Sequence, residues 1–304
     1  MITRDGTALH VEVDGTDDPR LTVIFVHGFA LDVDCWHEQR AVPPGCEVRR
    51  VFYDHRGFGR SEPGPAGPVG VTQLAHDLAD VITVTAPAGP VVLVGHSMGA
   101  LTIQALGAVA PALFGTRVVA GVLMATPLRG DMVTLGLPRR VALALHRLVP
   151  GLLALSGRSR RTIPSRRVRV WAGRLAYGPH PVAEAWRRTG ETIAANPVGL
   201  LAGCMVPVLA FAETGGLPAL GKARIVVLAG SHDRLVPRQA TLAVAEGTPG
   251  AEMITLGGSG HMVQCERPEQ VNAILADVVS GALGVGRVAR SPHSGEDPGP
   301  PPIR

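Results

Sequence analysis

Short runs of apolar, largely β-branched residues alternate with longer stretches of helical periodicity along most of the chain. Leu21 to Val26 and Val91 to Val94 are such runs, and Val48 to Tyr53 is a third, interrupted by Arg49 and Arg50; each is four to six residues long. Runs of that length and composition are typical of strands buried on both faces of a parallel sheet. The stretch Val71 to Thr85 instead places its apolar residues three and four positions apart, as an amphipathic helix does. Because parallel strands need crossover helices, the alternation predicts an α/β fold with helices on both faces of the sheet.

The pattern extends over the rest of the chain. Further strands are predicted at Leu9 to Val13, Val118 to Met124, Ile225 to Leu228 and Met253 to Leu256, and further helices at Leu101 to Val109 and Arg238 to Ala245. The chain has 304 residues, of which 46% are hydrophobic and 18% charged, so it can bury a large core and a wholly disordered protein is excluded.

The composition also bears on compartment and location. Four cysteines without a repeated spacing indicate free thiols and fit no zinc motif. The first residues have no apolar signal core. The uncharged stretch Ala194 to Ala212 contains Pro197 and Pro207, which favours a bent buried helix over a membrane span. We therefore expect a cytoplasmic protein.

The strongest local signal is Gly95-His96-Ser97-Met98-Gly99, directly after the strand Val91 to Val94 and directly before a helix. A G-x-S-x-G sequence in that position is typical of a sharp turn that presents a serine hydroxyl above the sheet edge. The N-terminus of the following helix adds positive potential where a substrate oxygen would gain negative charge. Ser97 is therefore a candidate nucleophile, and an ordinary glycine-rich turn is the alternative.

A nucleophilic serine needs a base and an acid that orients the base. Asp233 follows the predicted strand Ile225 to Leu228, and His261 ends a glycine-rich loop after Met253 to Leu256. The carboxyl ends of parallel strands meet at one edge, so both side chains are expected near Ser97. The chain order Ser, Asp, His supports a catalytic triad. A helix cap at Asp233 and a surface loop at His261 are the alternatives.

Together these motifs resemble the α/β-hydrolase superfamily over roughly residues 1 to 283, in the branch of serine esterases, non-haem haloperoxidase-like proteins and carbon–carbon bond hydrolases. The resemblance implies a mostly parallel eight-stranded sheet with helices on both faces and a helical cap insertion. It also implies that His27-Gly28-Phe29, after the third strand, is the oxyanion loop, with the backbone N–H groups of Phe29 and Met98 as donors. Asp54 to Ser61 matches a family turn of structural role. Ser97 excludes epoxide hydrolases and haloalkane dehalogenases of this fold, which carry aspartate there.

The net charge of +4 is unevenly distributed. Residues 129–195 hold 13 arginines, no lysine and three acidic residues, a net charge of +10, which leaves −6 on the remainder. We predict a core formed by residues 1–128 and 196–283, a helical cap at 129–195 and a flexible, Pro- and Gly-rich tail at 284–304.

The arginine-rich cap has two possible interpretations. The cap is either a lid whose apolar face lines an acyl pocket while its arginines make peripheral contact with an anionic surface, or its arginines are only the solvated face of the cap helices. Trp36, Trp171 and Trp186 are predicted to wall a substrate pocket; packing of the cap onto the core is their alternative role.

These features favour a serine hydrolase that cleaves a carboxylic ester of a small or medium acyl substrate through an acyl-enzyme. The alternatives are a carbon–carbon bond hydrolase or a haloperoxidase-like perhydrolase with the same triad, and a weakly catalytic ligand-binding protein. No nucleotide-binding loop or metal-ligand spacing is present, so no cofactor or metal is expected. An acidic core and an aromatic content of 4% argue against a nucleic-acid partner. The oligomeric state stays open.

Overall fold

The computed structural model describes residues 1–42, 44–65, 69–130, 166, 170, 174–181 and 183–284. Trp171 and most of the cap predicted at residues 129–195 lie outside these ranges, as does the predicted tail beyond Gly284.

Seven strands form one sheet in the described part of the chain, in the order β1-β3-β2-β4-β5-β6-β7. They are β1 (Val11–Gly15), β2 (Leu21–Val26), β3 (Val48–Tyr53), β4 (Val91–His96), β5 (Val118–Met124), β6 (Arg224–Gly230) and β7 (Glu252–Leu256). Only β1 is antiparallel to its neighbour, and all other pairs are parallel. The α/β fold and the mostly parallel sheet are thereby confirmed.

The expectation of eight strands was wrong by one for the described residues. Ahead of β1 the chain makes only an isolated bridge between Ile2 and Ala8. The carboxylate of Asp5 closes a tight turn there, accepting hydrogen bonds from the hydroxyls of Thr3 at 2.6 Å and Thr7 at 2.8 Å. So short a turn leaves too few residues to extend a ladder, and the loop at residues 27–29 consequently follows the second strand rather than the third.

Helices cover both faces of the sheet. The longer ones are α2 (Val71–Thr85), α3 (Met98–Val109), α4 (Ala183–Ala195), α5 (Val198–Ala210), α7 (Arg238–Gly247) and α9 (Pro268–Ala282), and the short ones are α1 (His37–Arg40), α6 (Leu217–Leu220) and α8 (Val263–Glu266). Two 3₁₀ turns, Val33–Trp36 and Pro111–Leu113, complete the elements. The predicted helix Val71 to Thr85 has the bounds of α2.

The strands divide the apolar side chains between two cores, one on each face. In β2, Ile24 and Val26 belong to one cluster, whereas Val23 and Phe25 belong to the other. This alternation follows from the two-residue period of a strand, and it explains why β2 is buried at every position and apolar at all but Thr22.

The uncharged stretch at residues 194–212 forms α5, a helix of 13 residues that begins after Pro197 and contains Pro207. Within the ranges that the structure describes, no helix is long and apolar enough to cross a membrane.

Candidate active site

Ser97 occupies a strained turn between β4 and α3. Its φ of +50° lies in the left-handed region, which costs a non-glycine residue about 1–2 kcal/mol. The Ser97 amide donates a hydrogen bond to the carbonyl of Met124 at the end of β5, 2.8 Å away. Gly99 is required beside it because a Cβ there would lie 2.0 Å from the carbonyl oxygen of Val26. Sheet and helix backbones therefore hold the serine in place from both sides.

His261 lies between Ser97 and Asp233. Its Nδ1 is 2.7 Å from Asp233 Oδ2, and its Nε2 is 3.0 Å from Ser97 Oγ. A carboxylate only accepts hydrogen bonds, so Nδ1 carries the proton and Nε2 is left to accept the serine hydroxyl. The side chains of Asp233 and His261 are 1% and 8% exposed, so water screens their interaction little.

The carboxylate of Asp233 is held in position by its own loop. Its Oδ1 accepts hydrogen bonds from the amides of Leu235 and Val236, each at 2.9 Å. These bonds turn Oδ2 towards the imidazole. The helix α7 begins after Pro237 without a side-chain cap, so Asp233 does not take the helix-cap role that the sequence left open. It closes a turn in its own loop and lies beside His261.

Buried histidines support the loops around the serine. His96 Nε2 donates to the carbonyl of His261 at 3.0 Å, and His27 Nδ1 donates to the carbonyl of Gly28 at 2.8 Å. His27 Nε2 in turn accepts the amide of His55 at 2.9 Å. Burial lowers the pKa of His96 and of His55 well below the ordinary value, so these rings stay neutral and act as hydrogen-bonding struts.

The predicted oxyanion donors lie on two sides of Ser97. Phe29 and Met98 both line the cavity that contains the serine hydroxyl. Among the described residues, neither amide donates a hydrogen bond to a protein acceptor. The amide of Met98 also begins α3, a helix of 12 residues, whose N-terminus carries positive potential.

Asp54, the first residue of the predicted family turn, supports the loop that carries Phe29. It is fully buried and accepts hydrogen bonds from the amides of Val33 at 2.8 Å and Arg60 at 2.9 Å. Gly59 packs against this carboxylate so closely that a Cβ would lie 2.3 Å from Oδ2. Asp54 thus ties the turn to the chain that follows the oxyanion loop.

A cavity of about 460 Å³ opens above Ser97. No Asp, Glu, Lys or Arg is among the described residues that line it, and its apolar walls include Leu101, Ile193, Leu201, Met205, Val208 and Leu209. Most of these side chains come from α5 and the end of α4. The sequence signal for this wall was the uncharged stretch at residues 194–212, which we assigned to a buried helix but not to a pocket.

The tryptophans do not line this cavity as predicted. Trp36 is fully buried in the core, with its ring centroid 5.3 Å from that of Phe25. Trp186 packs, partly buried, against the same cluster. Their positions in the 3₁₀ turn and α4 fit the alternative role, packing onto the core. Trp171 lies outside the described residues. No group of three or more His, Cys, Asp or Glu side chains in the described ranges is arranged to hold a metal ion.

Comparisons with known proteins agree with this architecture. The protein named "Probable esterase PIR7A" of Oryza sativa subsp. indica is 24% identical over 267 residues, covering 84% of this chain and 96% of that protein. The non-heme chloroperoxidase CPO-A1 of Kitasatospora aureofaciens is 35% identical over 97 residues, which span about a third of either chain (32% and 34%).

Solved structures show the same fold. A thermophilic esterase from Thermogutta terrifontis superposes with a TM-score of 0.65 at 26% identity, covering 91% of this chain and 94% of that one. The esterase RhEst1 from Rhodococcus sp. ECU1013 has a TM-score of 0.72 at 20% identity, covering 92% and 98%. The model of the alpha/beta hydrolase family matches residues 23–274, most of the chain and the whole of the site described above. The protein belongs to the alpha/beta hydrolase family.

Proposed function

We propose that this protein is a serine hydrolase that cleaves carboxylic esters with an uncharged, apolar acyl group of small or medium size. One observation carries the proposal: Ser97 Oγ, 3.0 Å from His261 Nε2, stands at an apolar cavity, and His261 Nδ1 is 2.7 Å from Asp233. A hydroxyl, a neutral imidazole and a carboxylate in that order can generate a nucleophile at neutral pH.

In the first half-reaction, Ser97 Oγ bonds to the ester carbonyl carbon while its proton moves to His261 Nε2. The amides of Phe29 and Met98 donate to the oxygen that becomes negative, and Asp233 stabilises the imidazolium. The carbon–oxygen bond to the alcohol then breaks, and Nε2 returns the proton to that alcohol. The product of this step is an acyl group esterified to Ser97.

In the second half-reaction, water takes the place of the alcohol. Its proton moves to His261 Nε2 as its oxygen bonds to the acyl carbon. The bond to Ser97 Oγ breaks, Nε2 returns the proton to the serine, and the carboxylic acid leaves. The same two amides serve both tetrahedral intermediates.

The cavity supports the assignment of the acyl group. Because Leu, Ile, Met and Val side chains wall it, burial of each additional methylene contributes about 0.8 kcal/mol, roughly fourfold in affinity, until the cavity is full. A charged acyl group would lose its hydration with no charged partner among the described lining residues, which disfavours it strongly.

A panel of p-nitrophenyl esters from acetate to laurate tests the function. We expect kcat/KM to rise with acyl length and then fall once the chain exceeds the cavity. A succinate monoester, with a charged acyl group, should be hydrolysed far more slowly than butyrate. Ser97→Ala should abolish hydrolysis and labelling by a fluorophosphonate, whereas Ser280→Ala, at an exposed serine, should change neither. Absence of hydrolysis across the panel would contradict the proposal.

A second candidate is a perhydrolase, favoured by the 35% identity to a non-heme chloroperoxidase over 97 residues. Hydrogen peroxide would then replace water in the second half-reaction: its oxygen bonds to the acyl carbon, Ser97 regains its proton and a peracid leaves. Peracetic acid formed from p-nitrophenyl acetate and peroxide by the wild-type protein, but not by Ser97→Ala, would support this activity.

The two remaining alternatives are separated by different substrates. A carbon–carbon bond hydrolase would cleave a vinylogous diketone faster than any ester of the panel. A ligand-binding protein of this fold would bind apolar acids without reacting with the fluorophosphonate.

A further inference from the structure

Glu266 is a buried acid that has no part in the reaction steps above. Its residue is 8% exposed, and burial raises the pKa of its carboxyl group. Each of its two oxygens accepts a backbone N–H: Oε1 from Gly260 at 2.8 Å and Oε2 from Gly178 at 2.7 Å. One carboxylate thus joins two segments that are far apart in the sequence.

Both segments lie at the candidate base. Gly260 directly precedes His261, and Gly178 belongs to the described segment 174–181, on the N-terminal side of α4. The same segment contributes Ala176, whose carbonyl oxygen accepts the amides of His261 at 2.7 Å and Met262 at 3.1 Å.

The two backbones approach each other so closely that side chains are excluded between them. A Cβ at Gly260 would lie 2.5 Å from the nitrogen of Gly178, and a Cβ at Gly178 would lie 2.7 Å from the carbonyl oxygen of Gly258. Both distances are shorter than van der Waals contact permits. The two segments therefore meet backbone to backbone, with Glu266 at their junction.

We propose that Glu266 is a positioning residue for His261, whose carboxylate holds the histidine loop against the segment at residues 176–178 and so keeps Nε2 within reach of Ser97. This inference rests on the proposed serine-hydrolase function. If it holds, the segment at residues 176–178, which precedes α4, helps to position His261.

A carboxylate suits this position better than an amide. Two N–H groups arrive from different directions, and only a carboxylate offers an acceptor oxygen to each. Bonds from N–H groups to an ionised acceptor are also stronger than neutral ones. The guanidinium of Arg267 favours the ionised form of Glu266, and it further ties the loop by donating to the carbonyl of Gly257 at 2.9 Å.

Glu266→Gln provides the test, because it preserves shape and leaves one acceptor oxygen. Its second terminal atom becomes an NH₂ group facing an N–H, so one segment is released. We expect kcat to fall by about 10- to 100-fold, the cost of misplacing a catalytic group by a fraction of an ångström to an ångström. KM should stay unchanged, because Glu266 does not line the cavity. The control is Glu269→Gln, which removes the same charge at an exposed position three residues further on.

A spectroscopic readout separates positioning from a purely structural role. The proton shared by His261 Nδ1 and Asp233 gives a far-downfield proton NMR signal, and we expect it to shift or broaden in Glu266→Gln but not in Glu269→Gln. Gly178→Ala should produce the same change by displacing the other segment, and it keeps the test available if Glu266→Gln folds poorly.

A variant with wild-type kcat and an unchanged downfield signal would overturn the proposal, even if its melting temperature were lower. Failure of the proposed serine-hydrolase function can be distinguished from failure of the positioning role. If the wild-type protein hydrolyses no ester, the downfield signal and the rate of Ser97 labelling by a fluorophosphonate still compare the variants. An unaltered signal in both Glu266→Gln and Gly178→Ala would then reject the positioning role by itself.

Discussion

The side-chain amide of Asn196 donates a hydrogen bond to the carbonyl oxygen of Ala30 across 3.0 Å. Ala30 follows Phe29 directly and has a φ of +61°, in the left-handed region that disfavours every residue except glycine. Asn196 also donates to the carbonyl of Thr192 in α4, at 2.9 Å. The C-terminal end of α4 is therefore tied to the strained loop that places the Phe29 amide.

Asn196→Ala should loosen this loop and weaken the stabilisation of the oxyanion. We expect kcat to fall by about 10- to 100-fold, less than the roughly 10²- to 10³-fold that follows complete loss of one donor. A trifluoromethyl ketone measures the effect directly, since its oxyanion binds the same donors and its Ki should rise by the same factor. Asn272→Ala is the matched control, because Asn272 makes a similar bond to the carbonyl of Glu38 away from the cavity. An unchanged Ki in Asn196→Ala would contradict this role.

Asp233→Asn should lower kcat by about 10⁴-fold while leaving the fold intact. The amide oxygen can still accept from Leu235 and Val236, but an NH₂ group then faces His261 Nδ1. The imidazole would switch tautomer and point an N–H, in place of its lone pair, at Ser97. Steady-state kinetics with circular dichroism checks this, with Asp80→Asn at a surface ion pair as the control. A loss of less than tenfold would show that Asp233 does not orient the base.

Gly99→Ala should destabilise the protein, because the new Cβ would lie 2.0 Å from the backbone oxygen of Val26. Backbone cannot move aside as a side chain can, so we expect a loss of at least about 1–3 kcal/mol in the free energy of unfolding. Gly257→Ala is the control, since no atom lies within 4 Å of its Cβ position. Its effect should stay within about 0.5 kcal/mol. Equal melting temperatures for the two variants would refute the steric argument.

The raised pKa of Asp32 predicts that the stability of the protein depends on pH. Burial, together with the nearby charge of Asp34, raises the pKa of Asp32 from 3.8 to about 6. The folded state then holds this proton more tightly than the unfolded state, so its contribution to stability is complete below pH 3.8 and is lost as the pH rises through 6. Asn also caps a helical turn but does not titrate.

We therefore expect Asp32→Asn to raise the melting temperature at about pH 7.5 and to change it little at about pH 4. Differential scanning calorimetry at both pH values measures the difference between variant and wild type. A difference in melting temperature that is independent of pH, or larger in acid, would show that ionisation of Asp32 does not destabilise the folded state.

The local sequence pattern was sufficient to predict most of the strands of the sheet. The predicted strands Leu21 to Val26, Val48 to Tyr53 and Val118 to Met124 have the bounds of β2, β3 and β5. β2 and β5 are apolar at all but one position, and β3 is apolar except at Arg49 and Arg50. Short runs of that kind are typical of a buried parallel strand. The structure of the segment before β1 could not be predicted in this way, because side-chain hydrogen bonds close the turn at Asp5 and no sequence periodicity reveals them.

The sequence by itself determined the fold class, the sharp turn at Ser97 and the order of the loops that carry Asp233 and His261, because each depends on residues adjacent along the chain. The cavity and its supports were decided by tertiary structure. Glu266 and Gly178 are 88 residues apart and Asn196 and Ala30 are 166 apart, so their contacts exist only after the helices have packed on the sheet. Packing also buried Trp36 in the core and lined the cavity with side chains of α5, since space around an apolar residue is set by its neighbours in the fold and not by its neighbours in the chain.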